Sequence, residues 1–283
     1  MNWEGPIGRS YLETIYSLGF TPERIIHLVP SIDIQTKKPL LRWGPNILRQ
    51  AYSASLQKYK INYWPNYIIK NSYALYSSIS DEIHTHLKFS TATLSRAYKL
   101  MPLDYYCKNV DTILIKNLSD PTLREILTKL QKHSFLYTGG GILPQNLLSI
   151  PQHRFIHIHP GYLPDIRGAD CTLWSSIIAG CTSATCFYMA PGIDTGDIIL
   201  ARCLPKIKFK IDIRPFDLKT IYRALYGFFD PWMRSYLLRH IILKYKKFDT
   251  IPTTVQNEHE GVTYHFMHAM IQKHAFKNLF ISS

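Results

Sequence analysis

Three consecutive segments in the middle of the chain leave few folds open. VDTILIKN (110–117) is a short apolar run rich in β-branched residues. SDPTLREILTKLQK (119–132) carries apolar residues at helical spacing, with Ser119 placed to cap it and Pro121 in its first turn. SFLYTGGGILP (134–144) is a second apolar run, closed by glycines. A strand, a helix and a strand joined by links of a few residues predict a parallel sheet. The expected fold is therefore α/β, with a Rossmann-like, mostly parallel sheet.

The flanks extend this pattern. At the start, GPIG (5–8) reads as a glycine-containing turn, SYLETIYSLGF as an amphipathic helix closed by Gly19, and RIIHLVP as a buried strand ended by Pro30. A βαβ unit needs a strand before that turn, yet only four residues precede it, so the first strand is expected to be missing or truncated. Residues 31–108 are rich in Tyr, Ser and Lys, with short helices expected around 46–59 and 91–99. Further on, PQNLLSIP predicts a short helix, RFIHI a strand and GADCTLWSSIIAG a helix stopped at Gly180. ATCFYMA and IILARC follow as strands around the turn PGIDTGD. After Pro205 the pattern becomes helical, with helices around Pro231 and in the tail. Residues 1–204 are expected to form the main domain and 205–283 a small, partly helical C-terminal region.

Composition narrows the function classes. No run approaches the ~18 apolar residues of a membrane span, and the N-terminus lacks the charged-then-apolar order of a signal peptide. The expected location is the cytoplasm, with no membrane partner. Five cysteines, an odd number without a CxxC pair, argue against a zinc ribbon or a disulfide framework and for buried, reduced thiols. The net charge of +13 would attract nucleic acid, nucleotide phosphates or acidic cofactors alike. No arginine–aromatic module accompanies it, so nucleic acid is possible but not favoured.

The stretch FIHIHPGYLPDIRGAD (155–170) puts His157 and His159 one residue apart at a strand end. Alternate strand residues share a face, so two imidazoles could reach one metal ion, as in metal-dependent hydrolases. The same spacing recurs at His84 and His86 without supporting context, and His153, His265, His268 and His274 lie in no strand-end ligand setting. No metal site is therefore expected. Gly139–Gly141 lack the spacing and the Lys-Ser/Thr of a phosphate loop. For Arg167, contact with an acidic group and a supporting salt bridge are both open.

Taken together, GGGILPQNLL, HIHPGYLPDIRGA and PGIDTGDII match a known pattern in order. Residues 137–200 resemble the catalytic domain of the 10-formyltetrahydrofolate-dependent formyltransferases, whose members act on methionyl-tRNA, glycinamide ribonucleotide and sugar amines. The resemblance rests on His159, Leu163–Pro164, Arg167–Gly168–Ala169 and Asp194–Thr195–Gly196–Asp197, and it places His157 where the family has asparagine. It implies transfer of a formyl group from 10-formyltetrahydrofolate to an amine, within one-carbon metabolism. His159 and Asp194 would be catalytic, with His157 a third member. It also implies a folate site along Gly140, Gly141, Ile142, Leu143, Tyr162, Leu163, Pro164, Gly192 and Asp194. Because formyl transfer develops an oxyanion, a histidine in the asparagine's place leaves three outcomes open: an active enzyme, a slow one, or a folate binder without transfer. A formyltetrahydrofolate hydrolase, with water as acceptor, is also open. The residues after Asp197 look short for a separate tRNA-binding domain, so a small or nucleotide-linked amine is the expected acceptor.

Overall fold

In the computed structural model of the chain, residues 1–33, 36–245, 248, 251–257 and 259–281 are described. The N-terminal half runs β1 (Asn2–Trp3), α1 (Pro6–Ser17), β2 (Ile25–Pro30), α2 (Asn46–Ile61), α3 (Tyr63–Asn71), α4 (Tyr73–Leu87), α5 (Thr91–Tyr98) and β3 (Val110–Ile115). Next come α6 (Pro121–Thr128), β4 (His133–Leu136), α7 (Gln145–Leu148), β5 (His153–His159), β6 (Ile166–Gly168), α8 (Cys171–Ile178), β7 (Ser183–Tyr188) and β8 (Ile198–Cys203). The chain closes with α9 (Leu218–Ala224), a π-helical turn (Leu225–Phe229), α10 (Asp230–Lys244), β9 (Val262–Tyr264) and α11 (Ala269–Leu279).

The fold is α/β. Strands β1, β2 and β3 form one parallel ladder; β4 and β5 pair in parallel, and β7 and β8 add antiparallel strands to β5. Two backbone hydrogen bonds join the ladders, from the Met1 amine to the Leu136 carbonyl (2.8 Å) and from the Thr138 N–H to the Met1 carbonyl (3.2 Å). The strands thus lie in the order β3-β2-β1-β4-β5-β7-β8. A strand does precede the first glycine turn, and it is two residues long. The five parallel strands bring their carboxyl ends to one edge, where open α/β sheets hold their ligands.

Local chemistry explains most boundaries. Asp120, not Ser119, caps α6: its carboxylate accepts from the Thr122 N–H at 3.0 Å, and Pro121 occupies the first turn, where a missing N–H costs nothing. The expected helices near 46–59 and 91–99 are α2 and α5; α3 and α4 between them were not anticipated. His84 and His86 lie on α4, where residues two apart face different sides. Cys107, Cys171 and Cys186 are buried free thiols, whereas Cys181 is half-buried and Cys203 exposed.

The sheet is covered on both faces. One core is built from Ile26, Leu28, Ile113, Leu123, Leu127 and Phe155. The larger one combines Ile156, Ile158, Ala184 and Cys186 of the sheet with Tyr11 of α1 and Phe228, Trp232, Leu237 and Ile241 of the smaller, mostly helical C-terminal region. No described helix is long and apolar enough to cross a membrane.

Candidate active site at the carboxyl ends of the strands

His157 and His159 are the last inward-facing residues of β5, and both are buried. Asp194 lies on the turn between β7 and β8 in a left-handed conformation (φ 53°), which points its carboxylate back toward β5. The His159 Nδ1 is 3.3 Å from Asp194 Oδ2. That oxygen also accepts the Gly168 N–H at 2.8 Å, and Gln256 donates to the Asp194 carbonyl at 2.9 Å. Burial would raise the Asp194 pKa, but the charge and hydrogen bond of His159 and the Gly168 N–H outweigh it and hold the carboxyl at about 2. Asp194 is a fixed anion.

The two histidines differ in what they can offer. His159 Nε2 donates to the Ile166 carbonyl at 2.9 Å, so both its ring nitrogens face oxygen acceptors. His157 Nδ1 is 3.2 Å from the Tyr137 carbonyl, which can only accept, so the proton sits on Nδ1. Burial, reinforced by the nearby Arg234 charge, lowers the His157 pKa from 6.5 to about 4. His157 is therefore a neutral ring with Nε2 as an acceptor.

Arg234 was not anticipated. It projects from α10 under β5, donating to the Ile158 carbonyl at 2.6 Å and from Nε to Asp230 at 2.8 Å. Asp230 also accepts the Thr172 hydroxyl at 2.6 Å, so a buried ion pair ties α10 to β5 and α8. The available signal was an Asp–Arg pair at i, i+4 inside the otherwise apolar run FFDPWMRSYLL. The π-helical turn ends directly before Asp230, and Pro231, which has no N–H to give, falls in the first turn of α10.

Close approaches fix the surrounding loops. A Cβ on Gly161 would sit 2.6 Å from His159 Nε2 and 2.5 Å from the Ile166 carbonyl. At Gly168 (φ 98°) a Cβ would meet the Tyr264 carbonyl at 2.1 Å, because β9 pairs with β6 there. Thr185 accepts the Leu163 N–H at 3.0 Å and donates to the Gly161 carbonyl at 2.7 Å, pinning the loop to β7. The buried Arg167 guanidinium donates to the Asn257 carbonyl at 3.1 Å.

The remaining expected positions surround this centre unevenly. Gly140 and Gly141 border open space, and Ile142 and Tyr162 are exposed. Leu143 and Leu163 are buried, and the Leu163 N–H is already given to Thr185. Gly192 (φ 125°) lies against the Thr195 side chain. Among the described residues, no three His, Cys, Asp or Glu side chains are grouped to hold a metal ion. A cavity of about 340 Å³ opens beside Gly139 and Gly140, lined also by Trp3, Glu4 and Gln57. A larger one, about 660 Å³, lies at the opposite, amino ends of the strands around Met1, Ile25 and His133, away from these residues.

Comparison with known proteins finds a likeness in this part of the chain. Residues 117–210, the segment bearing His157, His159 and Asp194, match the family model described as formyl transferase. Among curated proteins, methionyl-tRNA formyltransferase of Syntrophus aciditrophicus (strain SB) is 38% identical over 90 residues, 31% of this chain and 29% of that protein. The Geobacter sulfurreducens methionyl-tRNA formyltransferase is 45% identical over 67 residues, 23% of this chain and 21% of its own length. These matches span under a third of each relative. A solved 4-N formyltransferase from Francisella tularensis aligns with 69% of this chain and 80% of its own, at 16% identity and a TM-score of 0.38.

Proposed function

We propose that the chain transfers a formyl group from 10-formyltetrahydrofolate to an amine of a small or nucleotide-linked substrate in the cytoplasm. The observation that carries this reading is the pairing of the buried His159 with the half-buried Asp194, at 3.3 Å, within the segment that matches the formyl transferase family. In this reading residues 1–204 form the catalytic unit, and residues 205–283 support it through the Arg234–Asp230 pair.

Formyl transfer is attack of an amine nitrogen on the formyl carbon. The carbonyl π pair moves to oxygen, giving a tetrahedral oxyanion; its collapse expels the folate nitrogen, which takes up a proton as the amine loses one. The His159 ring, held by Asp194 at Nδ1, is suited to give its Nε2–H to the oxyanion once that nitrogen leaves the Ile166 carbonyl. His157 Nε2 is positioned to accept the proton of the incoming amine. The open face at Gly140 and Gly141 suits a flat pterin ring; Ile142, Leu143, Tyr162, Leu163, Pro164 and Gly192 would complete its walls.

A second reading, a folate-binding relative with slow transfer, is favoured by a specific observation. His157 spends its only proton on Tyr137, and His159 spends Nε2 on Ile166, so neither presents a free donor to an oxyanion. One experiment separates the readings: purified protein is mixed with 10-formyltetrahydrofolate and amines, and both binding and tetrahydrofolate release are measured beside Asp194→Asn. Saturable binding with Asp194-dependent release supports transfer; release with no amine present indicates hydrolysis. Binding without release under every amine supports the second reading, and absence of binding rejects both.

A further inference from the structure

Helix α2 is built the wrong way round for a helix on a protein surface. Ile47, Leu48, Tyr52 and Tyr59 are exposed, while Ser53 and Gln57 are the side chains turned inward. Ser53 is satisfied by the Pro30 carbonyl at 2.5 Å. Gln57 is 4% exposed, and neither its amide oxygen nor its amide nitrogen has a partner. A buried carboxamide left without hydrogen bonds is costly, and native structures rarely keep one without a reason.

The reason is available next to it. Gln57 lines the cavity of about 340 Å³ between the start of α1, the Gly139–Gly140 turn and α2. This cavity adjoins the candidate active site through a single residue. Tyr137 receives the His157 Nδ1–H on its carbonyl and donates its hydroxyl to the Gly140 carbonyl at 3.2 Å.

Side-chain charge favours a neutral occupant. Among the described residues no lysine or arginine lines the cavity, and the carboxylate that does, Glu4, is held by Arg9 at 2.6 and 2.8 Å. The α1 amino end faces it with Pro6 in its first turn and no side-chain cap, so backbone N–H groups there are open to an acceptor atom of the occupant. A phosphate would find no cationic side chain in the wall, and the Glu4 carboxylate beside it. A carboxamide instead matches a group carrying a donor beside an acceptor, and Trp3 and Tyr226 in the wall suit a flat one.

We infer that this cavity seats the acceptor substrate, and that Gln57 selects there for a neutral group bearing an N–H beside a C=O, the edge of an acetamido group or of a pyrimidine base. Naming the occupant the acceptor rests on the formyl-transfer reading; the binding itself does not. The inference makes Gln57 a specificity residue, acting on which ligand binds rather than on the reacting atoms.

The test needs no turnover, so it fails separately from the formyl-transfer assay. The Gln57 side-chain amide is followed by NMR in ¹⁵N-labelled protein, assigned by its loss in Gln57→Leu, with N-acetylglucosamine, uridine and inorganic phosphate as separate probes. Saturable shifts with either organic probe are expected, and which one responds identifies the source of the edge. Gln57→Leu should weaken that binding about tenfold or more, while the free protein's melting temperature holds or rises because an unpartnered buried amide is gone. The inference is overturned if neither organic probe moves the resonance, if phosphate alone moves it, or if Gln57→Leu lowers the melting temperature.

Discussion

Replacing His157 by asparagine tests the state of the ring and its consequence for chemistry together. Burial and the Arg234 charge lower its pKa from 6.5 to about 4, so the folded protein disfavours the protonated ring by about 3 kcal/mol. The stabilising preference for the neutral ring is complete above pH 6.5, the unfolded value, and is lost as pH falls toward 4. At pH 5 the loss is about 2 kcal/mol. Urea unfolding of wild type and His157→Asn at pH 7.5 and pH 5 isolates this share, since every other titrating group, the buried His27 included, is common to both. The wild type should lose about 2 kcal/mol more than the variant on acidification. An asparagine removes the Nε2 acceptor and adds an amide donor: formyl transfer should fall by about 100-fold where His157 takes the amine proton, and rise by about 100-fold in the slow-transfer reading, where a missing oxyanion donor limits the rate. Equal acid sensitivity of the two proteins would show that His157 is not held neutral, and the account of its acceptor nitrogen would fall with it.

Asp194→Asn should lower turnover by about 100-fold or more. The variant should also lose about 2 kcal/mol of stability at pH 7, a difference that disappears as pH falls from the ordinary carboxyl value of 3.8 toward 2, where wild-type Asp194 itself protonates; denaturant midpoints across that range measure it. Arg234→Met leaves Asp230 buried without its counter-charge and should cost about 3–5 kcal/mol, whereas the double variant Arg234→Met/Asp230→Leu should recover much of that in the same unfolding assay. Gly161→Ala forces a methyl against the His159 ring and the Ile166 carbonyl; stability should fall by about 1–3 kcal/mol, with folate binding, read by fluorescence quenching, retained better than turnover.

How far the chain could be read depended on whether a feature is local. The β3-α6-β4 unit was legible because periodicity, a proline near the helix start and glycines after the strand all act within a few residues. Only the cap was misassigned, Asp120 and Ser119 being adjacent and chemically alike. Helices α3 and α4 were not legible: Pro65 lies within α3, and the tyrosines around it give no clear helical stripe. The strand ends holding His157, His159 and Asp194 were legible as a group because each follows an apolar run. What the sequence withheld is the polarity of the group. His157 is an acceptor because Tyr137, 20 residues earlier and just past the end of the neighbouring strand β4, turns its carbonyl onto Nδ1. It stays neutral partly because Arg234, 77 positions later, is buried beneath the same strand. Both causes are products of sheet register and helix docking, so no spacing within HIHPG could report them. The same holds for Gln57, which reads as an ordinary surface residue of a lysine-rich helix until the fold turns that face inward. Substituting a residue at such a site therefore tests the docking of distant elements as much as the chemistry of the side chain. That is why the stability measurement has to accompany each activity measurement made on it.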